Sequence, residues 1–146
     1  MTVFRRILVG WDCSPGAAAA LRAAAAVAAV ANGEVTHVVA LAVLRPAPHT
    51  EDAAEGVADY DERQRFARET FDTASDTLPD ALRERLSLQF EQSGDAARTV
   101  CEYAQQHGFD LLVLGRHGSG GVLHPRLGHV AAVAARKSSL PVLLAP

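Results

Sequence analysis

The sequence lacks an apolar stretch long enough to cross a membrane as a helix. Its longest charge-free run near the N-terminus covers residues 23–31, well short of the roughly 20 residues that a membrane span needs. The first residues show neither the apolar region nor the small-residue cleavage site of a signal peptide. Cysteine is scarce, and Cys13 and Cys101 form neither a disulfide framework nor a metal-binding spacing. These absences predict a soluble, cytoplasmic protein.

The chain also has no excess of basic residues. The 146-residue chain has a formal net charge of −3, whereas a nucleic-acid partner favours a basic face. Two enzyme motifs are also absent: the phosphate-binding Gly-x-x-x-x-Gly-Lys, and a Gly-x-Ser-x-Gly around Ser14. Ser14 is therefore expected to cap a helix rather than to act as a nucleophile. Composition and length predict one domain over residues 1–146, with no nucleic-acid partner.

Strand-like and helix-like apolar patterns alternate along the chain. The predicted strands are residues 6–12, 35–44, 86–91, 111–114 and 140–145. The predicted helices are residues 14–31, about 57–78, 94–108 and a last one that follows residues 115–129, from about Val130, with residues 47 to about 56 as a loop. The second helix is expected to bury one face, consisting of Phe66, Thr70, Phe71, Ala74 and Leu78. This order predicts an α/β fold, a doubly wound parallel sheet with helices on both faces and ligands beyond the carboxyl ends of the strands.

The most informative segment covers residues 115–129, between the fourth strand and the last helix. Four of its first seven residues are glycine, and packing offers no obvious reason for them. A glycine-rich turn lets backbone N–H groups approach an anion, and the following helix adds free N–H donors and about half a positive charge. The segment therefore predicts a phosphate-binding loop. The alternative is that these glycines serve only turns and close packing.

Three features together resemble the universal stress protein family. Gly115, Gly118 and Gly128 follow the family's spacing of glycine, two residues, glycine, nine residues and glycine. The opening Ile-Leu-Val-Gly-Trp-Asp-Cys-Ser is similar to the family's first strand and loop, including Asp12. The final Leu-Pro-Val-Leu-Leu resembles its last strand. The family has serine or threonine after the third glycine, whereas this chain has His129.

The resemblance implies a five-stranded sheet in the order 3-2-1-4-5 and a homodimer paired through the last strand. It also implies an adenine nucleotide, ATP or AMP. Mg²⁺ is expected to accompany ATP, because this ion needs few protein ligands and usually keeps its waters. In such a site the aspartate lies near the ribose, the backbone of strand two meets the adenine, and the glycine-loop amides hold the phosphates. The candidate nucleotide contacts are Asp12, Val43, Gly115, Gly118, Ser119, Gly128, His129 and Val130.

The same residues allow several alternatives. An aspartate at position 12 is also favoured by the dipole of the following helix alone. Imidazole at position 129 is bulkier than a hydroxyl, so a member that binds a protein partner without nucleotide is one alternative, and a slow ATPase is another. His117, His124 and His129 lie close together in sequence, but their spacing matches no known zinc pattern. No metal site is predicted from them.

Overall fold

The structure, a computed structural model, describes residues 4–30, 36–46, 53–117 and 127–146. Strands and helices alternate through these ranges. The strands are β1 (Arg6–Gly10), β2 (His37–Leu44), β3 (Leu86–Gln92), β4 (Leu111–Gly115) and β5 (Val142–Ala145). The helices are α1 (Pro15–Ala29), α2 (Ala53–Ser75), the short α3 (Asp80–Arg83), α4 (Ala96–Gln106) and α5 (His129–Lys137). The sequence did not predict α3.

The five strands form one parallel sheet in the order β3-β2-β1-β4-β5, as predicted. β1 lies at the centre, and its residues Ile7, Leu8 and Val9 are completely buried. A run of three apolar residues suits this position, because side chains of a strand point alternately to both faces and both faces are covered. The predicted doubly wound α/β fold is confirmed.

Each face of the sheet packs against its own helices. Ile7 and Val9 contribute to one core, in which α1 and α2 supply mostly alanine, leucine and phenylalanine side chains. Leu8 points to the opposite face, where it belongs to a core with residues of α4 and α5. Cys101 is half-buried at this second core, and burial raises the pKa of its thiol, with a smaller contribution from Glu102. No helix in the described residues is long and apolar enough to cross a membrane.

The prediction for the buried face of α2 is partly wrong. Phe66 is 57% exposed, whereas its neighbour Ala67 is buried and Phe71 is only 4% exposed. Trp11 accounts for this rotation: its indole N–H donates to the carbonyl of Ala67 at 3.2 Å. The Trp11 ring also packs edge-on against Phe71, with ring centroids 5.6 Å apart. The helix therefore presents a small residue, rather than Phe66, to the indole.

The predicted ends of this helix are also wrong. α2 begins at Ala53 rather than residue 57, and it ends at Ser75 rather than at residue 78. The amides of Thr77 and Leu78 donate to carbonyls only three residues back, which tightens the chain after the helix. Pro79 follows, and a proline disfavours the helical conformation in the residue before it. The first helix, α1, also ends earlier than predicted, at Ala29 rather than at residue 31.

Candidate functional site

The carboxyl ends of β1 and β4 lie next to each other in the sheet. Ile7, Leu8 and Val9 pair with Leu111, Leu112 and Val113. From β1 the chain winds first towards β2 and β3 and later towards β4 and β5, so the winding direction reverses between these two strands. Ligands of open parallel sheets bind at such a reversal, beyond the carboxyl ends of the strands. The loops that follow β1 and β4 therefore form the candidate site.

The loop after β1 is held by the side chains of Asp12 and Ser14. One oxygen of the exposed Asp12 carboxylate accepts bonds from the Ser14 amide, at 3.0 Å, and from the Ser14 hydroxyl. The Ser14 hydroxyl in turn accepts from the Ala17 amide at 3.1 Å, which confirms the predicted helix cap. Between them Cys13 has a φ of 66°, a left-handed conformation that costs a non-glycine residue about 1–2 kcal/mol. Asp12 thus has a structural role in this turn, whatever it does towards a ligand.

The cap gives a direct prediction about stability. We expect Ser14→Ala to lower the free energy of unfolding by about 1 kcal/mol, within the 0.5–2 kcal/mol typical of lost helix caps. Urea denaturation followed by circular dichroism measures this. The exposed Ser87 on β3 provides the control, because Ser87→Ala should change stability by less than about 0.5 kcal/mol. Equal stability of both variants would contradict the capping role.

Gly115, the last residue of β4, packs directly on the first turn of α1. A Cβ atom at Gly115 would lie 2.6 Å from both the carbonyl carbon and the oxygen of Gly16. A Cβ atom at Gly16 would collide with the carbonyl oxygen of His117. The expectation that packing gives no reason for the glycines is therefore wrong for Gly115. Gly16, which sequence reasoning missed, belongs to the same contact.

The start of α5 lies beside the exit of β4. The amide of Gly128 donates to the carbonyl of Arg116 at 2.6 Å. This bond joins the two ends of residues 116–128, the glycine-rich loop. Gly128 is the N-cap of α5, and glycine has no side chain to accept bonds from the first helical amides. These amides therefore lie at the positive end of the α5 dipole, at the candidate site.

The other predicted contacts take different positions around this edge. His129 is the first residue of α5 and is exposed, whereas the side chain of Val130 packs against the core. Leu41 of β2 pairs with Gly10, the last residue of β1, and β2 continues for three more residues. Val43 lies in this extension of β2. The half-buried Val43 side chain also packs against the core, which leaves its backbone as the part predicted to meet a ligand.

Gly118 and Ser119 lie outside the described residues, and so does His124. Within the described part of the chain, no group of three or more histidine, cysteine, aspartate or glutamate residues is arranged to hold a metal ion. The edge thus brings together Asp12, Gly115, Gly128 and His129, with Val43 on the next strand.

The parallel sheet in the order β3-β2-β1-β4-β5, with helices on both faces, is a fold that this chain shares with solved structures. The sequence model of the universal stress protein family matches residues 4–146. The chain therefore belongs to this family, as its sequence predicted.

Solved structures of the same family share the fold. The universal stress protein UspA from Lactobacillus plantarum has 20% sequence identity and a TM-score of 0.81, with 100% of both chains covered. A universal stress protein in complex with cAMP has 24% identity and a TM-score of 0.71, with 99% of both chains covered. A family protein from Arabidopsis thaliana with AMP bound has 15% identity and a TM-score of 0.64, over 97% of this chain and 90% of that one. None of the curated proteins compared with the sequence matches it.

Proposed function

We propose that this universal stress protein is a regulatory module that binds an adenine nucleotide at the carboxyl edge of its sheet. One observation carries the proposal: the uncapped N-terminus of α5 lies at the base of the glycine-rich loop, closed by the bond between Gly128 and Arg116. An anion at this point gains backbone N–H donors and the helix dipole together. The family members solved with cAMP and AMP support an adenine nucleotide as that anion.

Each candidate residue has a role in the proposed complex. The amides of Gly128, His129 and Val130 donate to phosphate oxygens, and Gly115 lets β4 and α1 come close enough to place them. Gly118 and Ser119 complete the phosphate loop. The Asp12 carboxylate lies on the ribose side, and the Val43 backbone faces the adenine. When the ligand is ATP, Mg²⁺ arrives with it and keeps most of its waters, so it needs few protein ligands.

Calorimetric titration tests the proposal directly. The purified chain is titrated with ATP, AMP and cAMP, with GTP as the control for base recognition, and we expect saturable one-to-one binding of adenine nucleotides only. Mass spectrometry of small molecules released on denaturation shows whether a nucleotide copurifies. Binding of none of the four ligands would reject the nucleotide site and favour a family member that acts through a protein partner alone. ATP turnover above background would favour the slow ATPase.

His129 gives a prediction for the residue that departs from the family pattern. We expect His129→Ser to bind ATP at least as tightly as the unchanged chain, because its backbone N–H remains and the hydroxyl is a small phosphate donor. Calorimetry at pH 7 measures this, with His107→Ser, at the opposite end of the sheet after α4, as the control. A tenfold loss of affinity in His129→Ser alone would mean that the imidazole itself holds the phosphate.

We further propose that the chain forms a homodimer through β5. This strand pairs with β4 on one side and is the last in the sheet order on the other. Leu143 in its middle is 36% exposed, although its neighbours Val142 and Leu144 pack against the core. An apolar edge strand favours pairing with another chain.

A further inference from the structure

At Gly16 the contact between α1 and the exit of β4 is made by backbone atoms. Gly16 lies in the first turn of α1, and no side chain separates it from Gly115 and His117. A Cβ atom at Gly16 would collide with the carbonyl oxygen of His117 and lie 3.3 Å from its carbonyl carbon. Both of these His117 atoms are backbone, so no side-chain rotation can relieve the collision. A glycine early in a helix also costs conformational entropy, which this contact explains.

The atoms at this contact are directly linked to the base of the glycine-rich loop. The peptide unit of His117 follows Arg116, whose carbonyl accepts the Gly128 amide at 2.6 Å. Gly128 is the N-cap of α5, so the position of the Arg116 carbonyl sets where the first amides of α5 point. Any side chain at position 16 that displaces the His117 carbonyl therefore also disturbs this closure.

We infer that Gly16 is a positioning residue for phosphate recognition: it allows α1 to support the β4 exit and so fixes the loop closure between Arg116 and Gly128. This inference rests on the proposed nucleotide site. It assigns a role to the first turn of α1, whose Ala17 amide is bonded to the Ser14 hydroxyl. The effect should depend on the phosphates of the ligand and not on its adenosine part.

The test compares Gly16→Ala with Gly94→Ala. A Cβ atom at Gly94 has no atom within 4 Å, so Gly94→Ala controls for the general effect of adding a methyl group. Calorimetry measures the affinity of each variant for ATP and for adenosine, and hydrogen exchange without ligand measures protection of the Gly128 amide. For Gly16→Ala we expect ATP affinity to fall at least tenfold, adenosine affinity to change less than twofold, and exchange at Gly128 to accelerate at least tenfold. Gly94→Ala should change none of these.

The exchange measurement separates this inference from the proposed function. If the unchanged chain binds no nucleotide, the proposed function fails. Whether or not it binds one, an unaltered exchange rate of the Gly128 amide in Gly16→Ala overturns the inference. Equal losses of ATP and adenosine affinity would also overturn it, because they indicate general damage rather than phosphate positioning. If Gly16→Ala does not fold, hydrogen exchange of the unchanged chain tests the inference instead. Saturation with ATP should then slow exchange of the Gly16 amide more than saturation with adenosine does, and equal effects would overturn the inference.

Discussion

Replacing Phe71 with alanine is expected to lower the free energy of unfolding by about 3–5 kcal/mol, the range for a buried phenylalanine. The Phe71 side chain is 4% exposed and lies between α2 and the sheet, where it meets the Trp11 ring edge-on at 5.6 Å. Its removal leaves a cavity beneath an indole whose N–H is fixed by the Ala67 carbonyl. The surroundings therefore have little freedom to collapse into the space. Urea denaturation followed by tryptophan fluorescence and circular dichroism measures the loss.

Phe66→Ala is the matched control, because it removes the same side chain from the same helix. Phe66 is 57% exposed, so its replacement should change the free energy of unfolding by no more than about 0.5 kcal/mol. The pair also distinguishes two rotations of α2 about its axis. If Phe66→Ala destabilises the chain as much as Phe71→Ala, both rings face the core, as the sequence pattern predicts, and Phe66 is not exposed.

The sequence could predict the sheet better than it could predict this helix. Three consecutive apolar residues in β1, and four in β4, indicate strands buried on both faces, and the structure buries them. In α2 the buried positions include Ala67 and Ser75, which contribute little to a hydrophobic pattern. The exposed Phe66 contributes much more, so the pattern favoured the wrong rotation. What decides the rotation is the hydrogen bond from Trp11, a contact between residues far apart in sequence.

In the candidate site, too, features that depend on neighbouring residues could be predicted, and contacts between residues far apart in sequence could not. A strand followed by glycines and a helix indicates a phosphate-binding loop from local sequence alone, and the helix does begin there, at His129. The packing reason for Gly115 could not be predicted, because its partner Gly16 follows a different strand. A glycine in the first turn of a predicted helix was the available signal. Ligand contacts of the eight candidate residues stay predictions until a nucleotide is titrated.

The dimer proposal depends on which side of β5 is covered. Val142 and Leu144 pack on the core that contains α4 and α5, so Leu143 between them points to the opposite face. Its exposure leaves a leucine in the middle of a strand whose outer edge, within the described residues, pairs with no other strand. A second copy placed along this edge would cover the leucine and give both chains a partner.

Leu143→Lys is therefore expected to convert a dimer into a monomer. A lysine on an edge strand opposes pairing, because its charge would have to lose water in the interface. Light scattering with size-exclusion chromatography at micromolar concentration should give twice the chain mass for the unchanged protein and the chain mass for the variant. Val30→Lys is the control, since Val30, the C-cap residue of α1, is 76% exposed and belongs neither to β5 nor to its neighbour β4. Circular dichroism checks that both variants fold. A monomeric unchanged protein, or equal dissociation by Val30→Lys, would show that β5 is not the dimer interface.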